Sequence, residues 1–153
     1  MNSSQLEKFL SDQIPLTKAL GVEVREANST QAVLFAPLEP NRNHLGTAFG
    51  GSLAATLILA GYTWLYSYLE QEGHASHVLL KGSQTNYLHP VEQDFIISCR
   101  APAETELNMF MEAFIRKGVA RIFLESEIVT DYGRSATFRG EFVAKKSDSG
   151  LLG

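Results

Sequence analysis

The sequence predicts an α+β domain in which an antiparallel β-sheet wraps around one long apolar helix. Three observations carry this expectation. The stretch from Asn43 to Leu69 contains no Asp, Glu, Lys or Arg. Its apolar residues Leu53, Leu57, Ile58, Leu59, Tyr62, Trp64, Leu65 and Leu69 cover every face of a helix, which other structure must then enclose. Segments on both sides of it alternate apolar and polar residues with the period of a strand. The chain has 153 residues, the size of one domain with one core.

The elements follow in order. Ser4-Gln5-Leu6-Glu7 has capping-box spacing, and Leu6, Phe9 and Leu10 share a face, so an amphipathic helix runs to about Gln13. Pro15 opens a second short turn and Gly21 closes it. Val22 and Val24 alternate with Glu23 and Arg25 in a first strand. Asn28-Ser29-Thr30 turns the chain, and Gln31 to Leu38 is the second strand. Pro37 and Pro40 close that hairpin and open a loop from about Glu39 to Ala48. The long helix spans about Gly50 to Glu72, with Gly73 as its stop.

Four strand-like segments come next: Ser76 to Leu88, Gln93 to Arg100, Val119 to Thr130 and Ser135 to Ala144. In the third, Ile122, Leu124 and Ile128 oppose Arg121, Phe123, Glu125 and Glu127; in the fourth, Ala136, Phe138 and Phe142 share a face. Asp131-Tyr132-Gly133-Arg134 is a hairpin turn. Within Glu104 to Lys117, Leu107, Phe110, Met111 and Phe114 fall at helical spacing. This marks a short helix or ordered loop that serves as core or interface, or as a lid over a pocket. No repeat, low-complexity run or linker interrupts the chain, so 1–153 reads as one domain, with Ser147 to Gly153 as a frayed tail.

Composition removes several function classes. A net charge of −4 argues against a nucleic-acid partner, which needs a basic stripe to neutralise phosphates. The longest basic runs are the pairs Arg116-Lys117 and Lys145-Lys146, either solvated surface or a contact for a phosphate or an acidic carrier protein. Cys99 is the one cysteine, so no intrachain disulfide exists, and its apolar surroundings predict a buried, inert thiol. The N-terminus has no basic start followed by an apolar core. Together these features predict a cytoplasmic protein. The charge-free stretch is long enough to span a bilayer, but it opens on glycines and carries Ser52, Thr56, Thr63 and Ser67. No basic cluster flanks it, so a buried helix and no membrane contact are expected. His74 and His77 have no Asp, Glu or Cys grouped with them, short of the three or four ligands of a zinc site; neither metal nor cofactor is expected. His89 lies beside Pro90 at a turn.

The segment that could carry chemistry is Asn41 to Ser52: a polar loop, then glycines, then the start of the apolar helix. Glycines admit close approach of a carbonyl, and the free N–H groups and dipole of a helix start favour negative charge. A developing thioester oxyanion is such a charge, and each well-placed donor is worth roughly 3–4 kcal/mol in its transition state. The same glycines would also serve tight packing of helix on sheet.

Asn43, Gly46-Thr47, Gly50-Gly51 and the helix that follows resemble the active-site loop of hot-dog thioesterases. More closely, the chain resembles a thioesterase-like family found as the C-terminal domain of a bacterial protein with an acetyltransferase-like first half, and also as a standalone chain. Ile14-Pro15-Leu16, Ala36-Pro37-Leu38, Asn41, the run Gly46 to Ser52, Ser83, Tyr87-Leu88 and Pro90-Val91 carry that likeness over about residues 14 to 145. The resemblance implies a hot-dog fold, a homodimer or higher even-numbered oligomer with sheets joined and the site at the interface, and an acyl substrate on coenzyme A or a carrier protein. It assigns the catalytic polar residue to Asn43 and the oxyanion amides to Phe49, Gly50 and Gly51. Asn41, His44, Gly46, Thr47, Ser83 and Tyr87 would contact the substrate.

One departure bears on the reaction. Many hot-dog thioesterases carry a histidine before the two glycines and an acid about two turns into the helix; here Phe49 and about Ile58 stand there, and no acid precedes Glu70 in the helix. Hydrolysis needs a positioned water and a general base. Glu92, Asp94, Glu125 or Glu127 could supply it across a dimer, although surface solvation is the plainer role for each. Some relatives of this family decarboxylate malonyl-carrier protein, which requires only orientation of the carboxylate and stabilisation of the thioester oxygen. A non-catalytic acyl-binding domain is the third reading.

Overall fold

Reciprocal capping starts the first helix. Asn2 accepts the Gln5 amide through its side chain, and the Gln5 side chain accepts the Asn2 amide, which sets α1 at Ser3–Gln13. The box lies two residues before the one expected at Ser4, because an Asn-x-x-Gln pair makes the same geometry. The computed structural model describes residues 1–148, so positions 149–153 of the expected tail lie outside the described residues. Ser147 still donates its amide to the Ala75 carbonyl.

Helix α2 (Leu16–Leu20) ends at Gly21, whose φ of 70° is the left-handed stop a glycine supplies. Strands β1 (Glu23–Ala27) and β2 (Gln31–Ala36) form a hairpin around Asn28, whose side-chain oxygen accepts the Thr30 and Gln31 amides. A 3-10 turn at Glu39–Asn41 leads through the polar loop into α3 (Gly50–Gln71). Then come β3 (Ser76–Tyr87), β4 (Phe95–Arg100), α4 (Glu104–Lys117), β5 (Val119–Thr130) and β6 (Gly133–Lys146).

The six strands form one antiparallel sheet in the order β1-β2-β4-β5-β6-β3. Its inner face, carrying Leu34, Ile97, Leu124, Ile128, Phe138 and Phe142, packs on α3, and Trp64 of that helix is wholly buried. Close approach is built in at Gly61, where an added Cβ would stand 2.8 Å from the Phe142 ring. No helix among the described residues is long and apolar enough to cross a membrane.

The wrapping of α3 is incomplete. Ala54, Ala55, Ile58 and Tyr62 are only half-buried, so the enclosure expected on every face fails along this strip. The 104–117 segment is a full helix rather than a loop. Glu104 and Glu106 in its first turn and Arg116 and Lys117 in its last complement its dipole, and Gly118 ends it in the left-handed conformation. Phe110 and Phe114 anchor α4 in the core.

The two edges of the sheet are treated differently. β1 is short, charged and bulged between Val24 and Glu26, and the Glu7 carboxylate of α1 accepts its Val24 amide. β3 is twelve residues long, with Leu79 68% exposed and Tyr87 54% exposed. A long open edge with exposed apolar side chains is a template for another strand.

Candidate active site

The loop before α3 is organised by Asn43. Its backbone amide donates to the Thr47 carbonyl (2.7 Å), and its side-chain oxygen accepts the amides of Leu45 (2.9 Å) and Thr47 (3.2 Å). Its Nδ2 donates to Thr47 Oγ1 (2.9 Å). Of the carboxamide's capacity, one Nδ2–H remains for a ligand. Because Thr47 Oγ1 accepts from Asn43, its own proton is free to donate outward. Gly46 closes the loop with φ 81°, which a residue with a side chain rarely adopts, and donates its amide to the Asn43 carbonyl.

Asn41 braces the loop from beneath. It is 2% exposed, and its Nδ2 donates to the carbonyls of Leu20 and Pro37, both at 2.8 Å. Its carbonyl accepts the Phe49 amide at 2.7 Å. The Asn41 side chain therefore lies inside the fold rather than on an open surface, with Oδ1 buried and unpartnered among the described residues. The Phe49 amide, one of the three expected oxyanion donors, is committed to Asn41.

That leaves the start of α3. Phe49 occupies the N-cap position and provides no side-chain cap, and no acidic residue stands in the first turn. Leu53 bonds back to the Phe49 carbonyl, while the amides of Gly50, Gly51 and Ser52 have no partner among the described residues. Helix starts are ordinarily closed by Ser, Thr, Asp or Asn. Here three donors and the positive end of a 22-residue helix stay open.

Two aromatic rings flank these donors. The Tyr87 ring lies 3.6 Å from where a Gly50 Cβ would be, and its hydroxyl donates to the Gly50 carbonyl at 3.1 Å. A Cβ on Gly51 would overlap the Phe49 ring. Gly51 thus makes room for the Phe49 ring, whereas a Cβ on Gly50 would meet Tyr87 at ordinary contact distance; both rings are more than half exposed.

Hydrogen bonds join Asn43, Gly46 and Thr47 within the loop, and at the start of α3 Tyr87 bonds to Gly50 while the Phe49 ring lies against Gly51. His44 is exposed at the loop tip, and no side-chain partner engages it among the described residues. Ser83 lies on the same face of β3 as Tyr87 but four residues back, about 13 Å along the strand. Ser52 is a donor that the sequence reading did not name; counting the orphan amides of a helix start would have found it. The Val91 carbonyl, which holds the Ala48 amide at 2.8 Å, gives no sequence signal.

The four carboxylates considered as bases separate cleanly. Asp94 accepts the Leu38 amide at 2.8 Å. Glu125 and Glu127 face outward, away from α3, beside Arg139 (3.7 Å) and Arg134 (2.8 Å). Glu92 is exposed and unengaged among the described residues, next to Val91 at the loop. Burial pushes the Cys99 thiol up to about 12, so it is no nucleophile. No group of His, Cys, Asp and Glu suited to hold a metal occurs among the described residues. A groove of about 720 Å³ lies on the outer face of the sheet, lined by residues such as Gln84, Asn86, Arg100 and Glu106, and shares no residue with the Asn43–Ser52 segment.

The family model described as "Putative thioesterase (yiiD_Cterm)" matches residues 3–146. A solved protein of unknown function from Chlorobaculum tepidum is 34% identical, with 95% of this chain and 94% of that one covered and a TM-score of 0.89. The "putative thioesterase" from Shewanella oneidensis is 22% identical over 94% of this chain and 96% of its own, with a TM-score of 0.83. A Pseudomonas aeruginosa protein described as "Probable Thioesterase" is 17% identical over 96% and 97%, with a TM-score of 0.79. At these identities the last two show shared architecture: the sheet around a long helix is the hot-dog fold.

Proposed function

The chain belongs to the family described as "Putative thioesterase (yiiD_Cterm)", and from that membership we propose that it binds an acyl thioester with the carbonyl oxygen on the amides of Gly50, Gly51 and Ser52, and hydrolyses it. The acyl group arrives on coenzyme A or on the pantetheine of an acyl carrier protein. The observation that carries this reading is the uncapped start of α3. Attack at a thioester carbonyl places negative charge on its oxygen, which these donors meet with little reorganisation. The remaining Asn43 Nδ2–H and the Thr47 hydroxyl orient the substrate. Tyr87 and Phe49 wall the slot, and His44 stands at its mouth. Glu92, exposed beside Val91 where that residue holds the Ala48 amide, is the carboxylate we assign to activate water. The half-buried strip of Ile58 and Tyr62 receives the acyl chain.

The active unit is a homodimer joined through β3. The guarded edge at β1 and the open edge at β3, with Leu79 exposed, support this choice.

A second reading, malonyl-thioester decarboxylation, is favoured by a specific observation: α3 has no carboxylate before Glu70. Loss of carbon dioxide leaves an enolate thioester, which the same amides stabilise and which solvent protonates to the acetyl thioester. An acid within the site would repel the malonyl carboxylate. Incubation with malonyl and acyl carrier-protein thioesters, followed by mass spectrometry, separates the readings. Free thiol and acid mean hydrolysis, acetyl thioester means decarboxylation, and unchanged substrate means an acyl-binding domain.

A further inference from the structure

Two basic pairs far apart in sequence meet at one end of the molecule. Arg116 and Lys117 close α4, and Lys145 and Lys146 close β6; the Lys146 amide donates to the Gly118 carbonyl at 2.8 Å and joins the two ends. Lys145 pairs across the sheet with Val119 on one side and His77 on the other, and Arg121 lies two residues along β5. The chain has 13 Lys and Arg, of which Lys8, Arg25, Arg42, Lys81, Arg134 and Arg139 form ion pairs. Among the described residues the other seven form none, and Arg116, Lys117, Arg121, Lys145 and Lys146 are five of them. The acids nearest in sequence, Glu112 and Asp148, pair with none of them. An unneutralised cluster on a protein of net charge −4, with Ile115 and Val119 exposed inside it, has the charge and the apolar centre of a surface for an acidic protein.

Its position explains what it would do. The cluster adjoins Ser76, at the start of β3, whereas Tyr87 and the Gly50 amides lie at the other end of that strand. Antiparallel pairing of β3 with a second copy along its length reverses the relation. Lys145 and Lys146 of one protomer then stand about two strand spacings, roughly 10 Å, and Arg121 about three, roughly 15 Å, from the Tyr87 end of its partner.

We propose that this cluster docks the acidic face of an acyl carrier protein and delivers its pantetheine into the active site of the opposite protomer. The proposal rests on the thioester site and the β3 dimer proposed above. The cations surround an exposed apolar centre at Ile115 and Val119, which suits an acidic protein face better than the phosphates of coenzyme A.

The test measures binding first, so that it does not depend on turnover. Fluorescently labelled holo acyl carrier protein is titrated against the wild-type dimer and the variant Arg116→Glu/Lys117→Glu/Lys145→Glu/Lys146→Glu, with circular dichroism confirming the fold and sedimentation the dimer. The expected result is at least a ten-fold loss of affinity and a flattened salt dependence, with turnover of a short acyl-pantetheine thioester unchanged. Equal affinity in the two proteins would overturn the docking surface. An equal loss for coenzyme A would assign the cluster to its phosphates and overturn the carrier assignment. If the charge-reversed protein misfolds, the milder pair Lys145→Gln/Lys146→Gln is read in the same way, with a loss of a few-fold supporting the proposal. Mixed dimers then locate the site: one protomer carries Asn43→Asp and the other the reversed cluster. Carrier-substrate turnover survives if the cluster works across the interface and vanishes if it works within a chain. Absence of turnover in the wild type, with binding intact, would sink the thioester reading and leave the docking surface standing.

Discussion

Asn43 spends most of its carboxamide holding its own loop, so the two ways of removing it differ. Asn43→Ala loses three side-chain hydrogen bonds at a half-buried position and should cost about 1–2 kcal/mol in urea unfolding. Asn43→Asp keeps acceptors for the Leu45 and Thr47 amides and can accept from the Thr47 hydroxyl. We expect its stability to stay within about 1 kcal/mol of wild type, while turnover falls about a hundred-fold or more as the new charge competes for the helix amides. Wild-type rates in Asn43→Asp would remove Asn43 from the site. Adjacent glycines before an apolar helix were legible in the sequence as a place for negative charge or for tight packing, whereas the role given to Asn43 came from its likeness to a family's loop. The inward turn of Asn41 and the committed Phe49 amide were not, since each depends on which carbonyl the fold places opposite.

Helices and strands were more legible than the loop, because each repeats its signal. The alternation of β5 and the apolar density of α3 fixed type and position within a residue or two. The strip of α3 left half-buried was hidden, since periodicity reports what is apolar and not what covers it. Tight packing of α3 on β6 makes a prediction at this scale: Gly61→Ala pushes against the Phe142 ring and should destabilise the fold by about 1–3 kcal/mol in urea unfolding. Cys99 on β4 makes another. Burial raises its thiol from 9.0 to about 12, so between those values the unfolded chain releases a proton that the folded chain keeps. Its contribution to stability is full below pH 9 and is lost as pH rises toward 12. Replacing Cys99 with Ala should flatten that alkaline decline, measured by urea unfolding across the range, and the native thiol should resist alkylation at pH 8.

The open edge of β3 and the exposed Leu79, Tyr87 and Leu88 predict a dimer in sedimentation, and Leu79→Glu should weaken it at least ten-fold. A monomeric wild type at micromolar concentration would remove β3 as an interface and with it the placement of the basic cluster beside a partner's site. Backbone amide NMR tests the open start of α3 without reference to the reaction. A ketone analogue of acetyl-pantetheine, with methylene in place of sulfur, is titrated into isotopically labelled protein. The Gly50, Gly51 and Ser52 amide protons should show saturable downfield shifts as each takes a hydrogen bond. Saturable binding that leaves those three amides unmoved would contradict this.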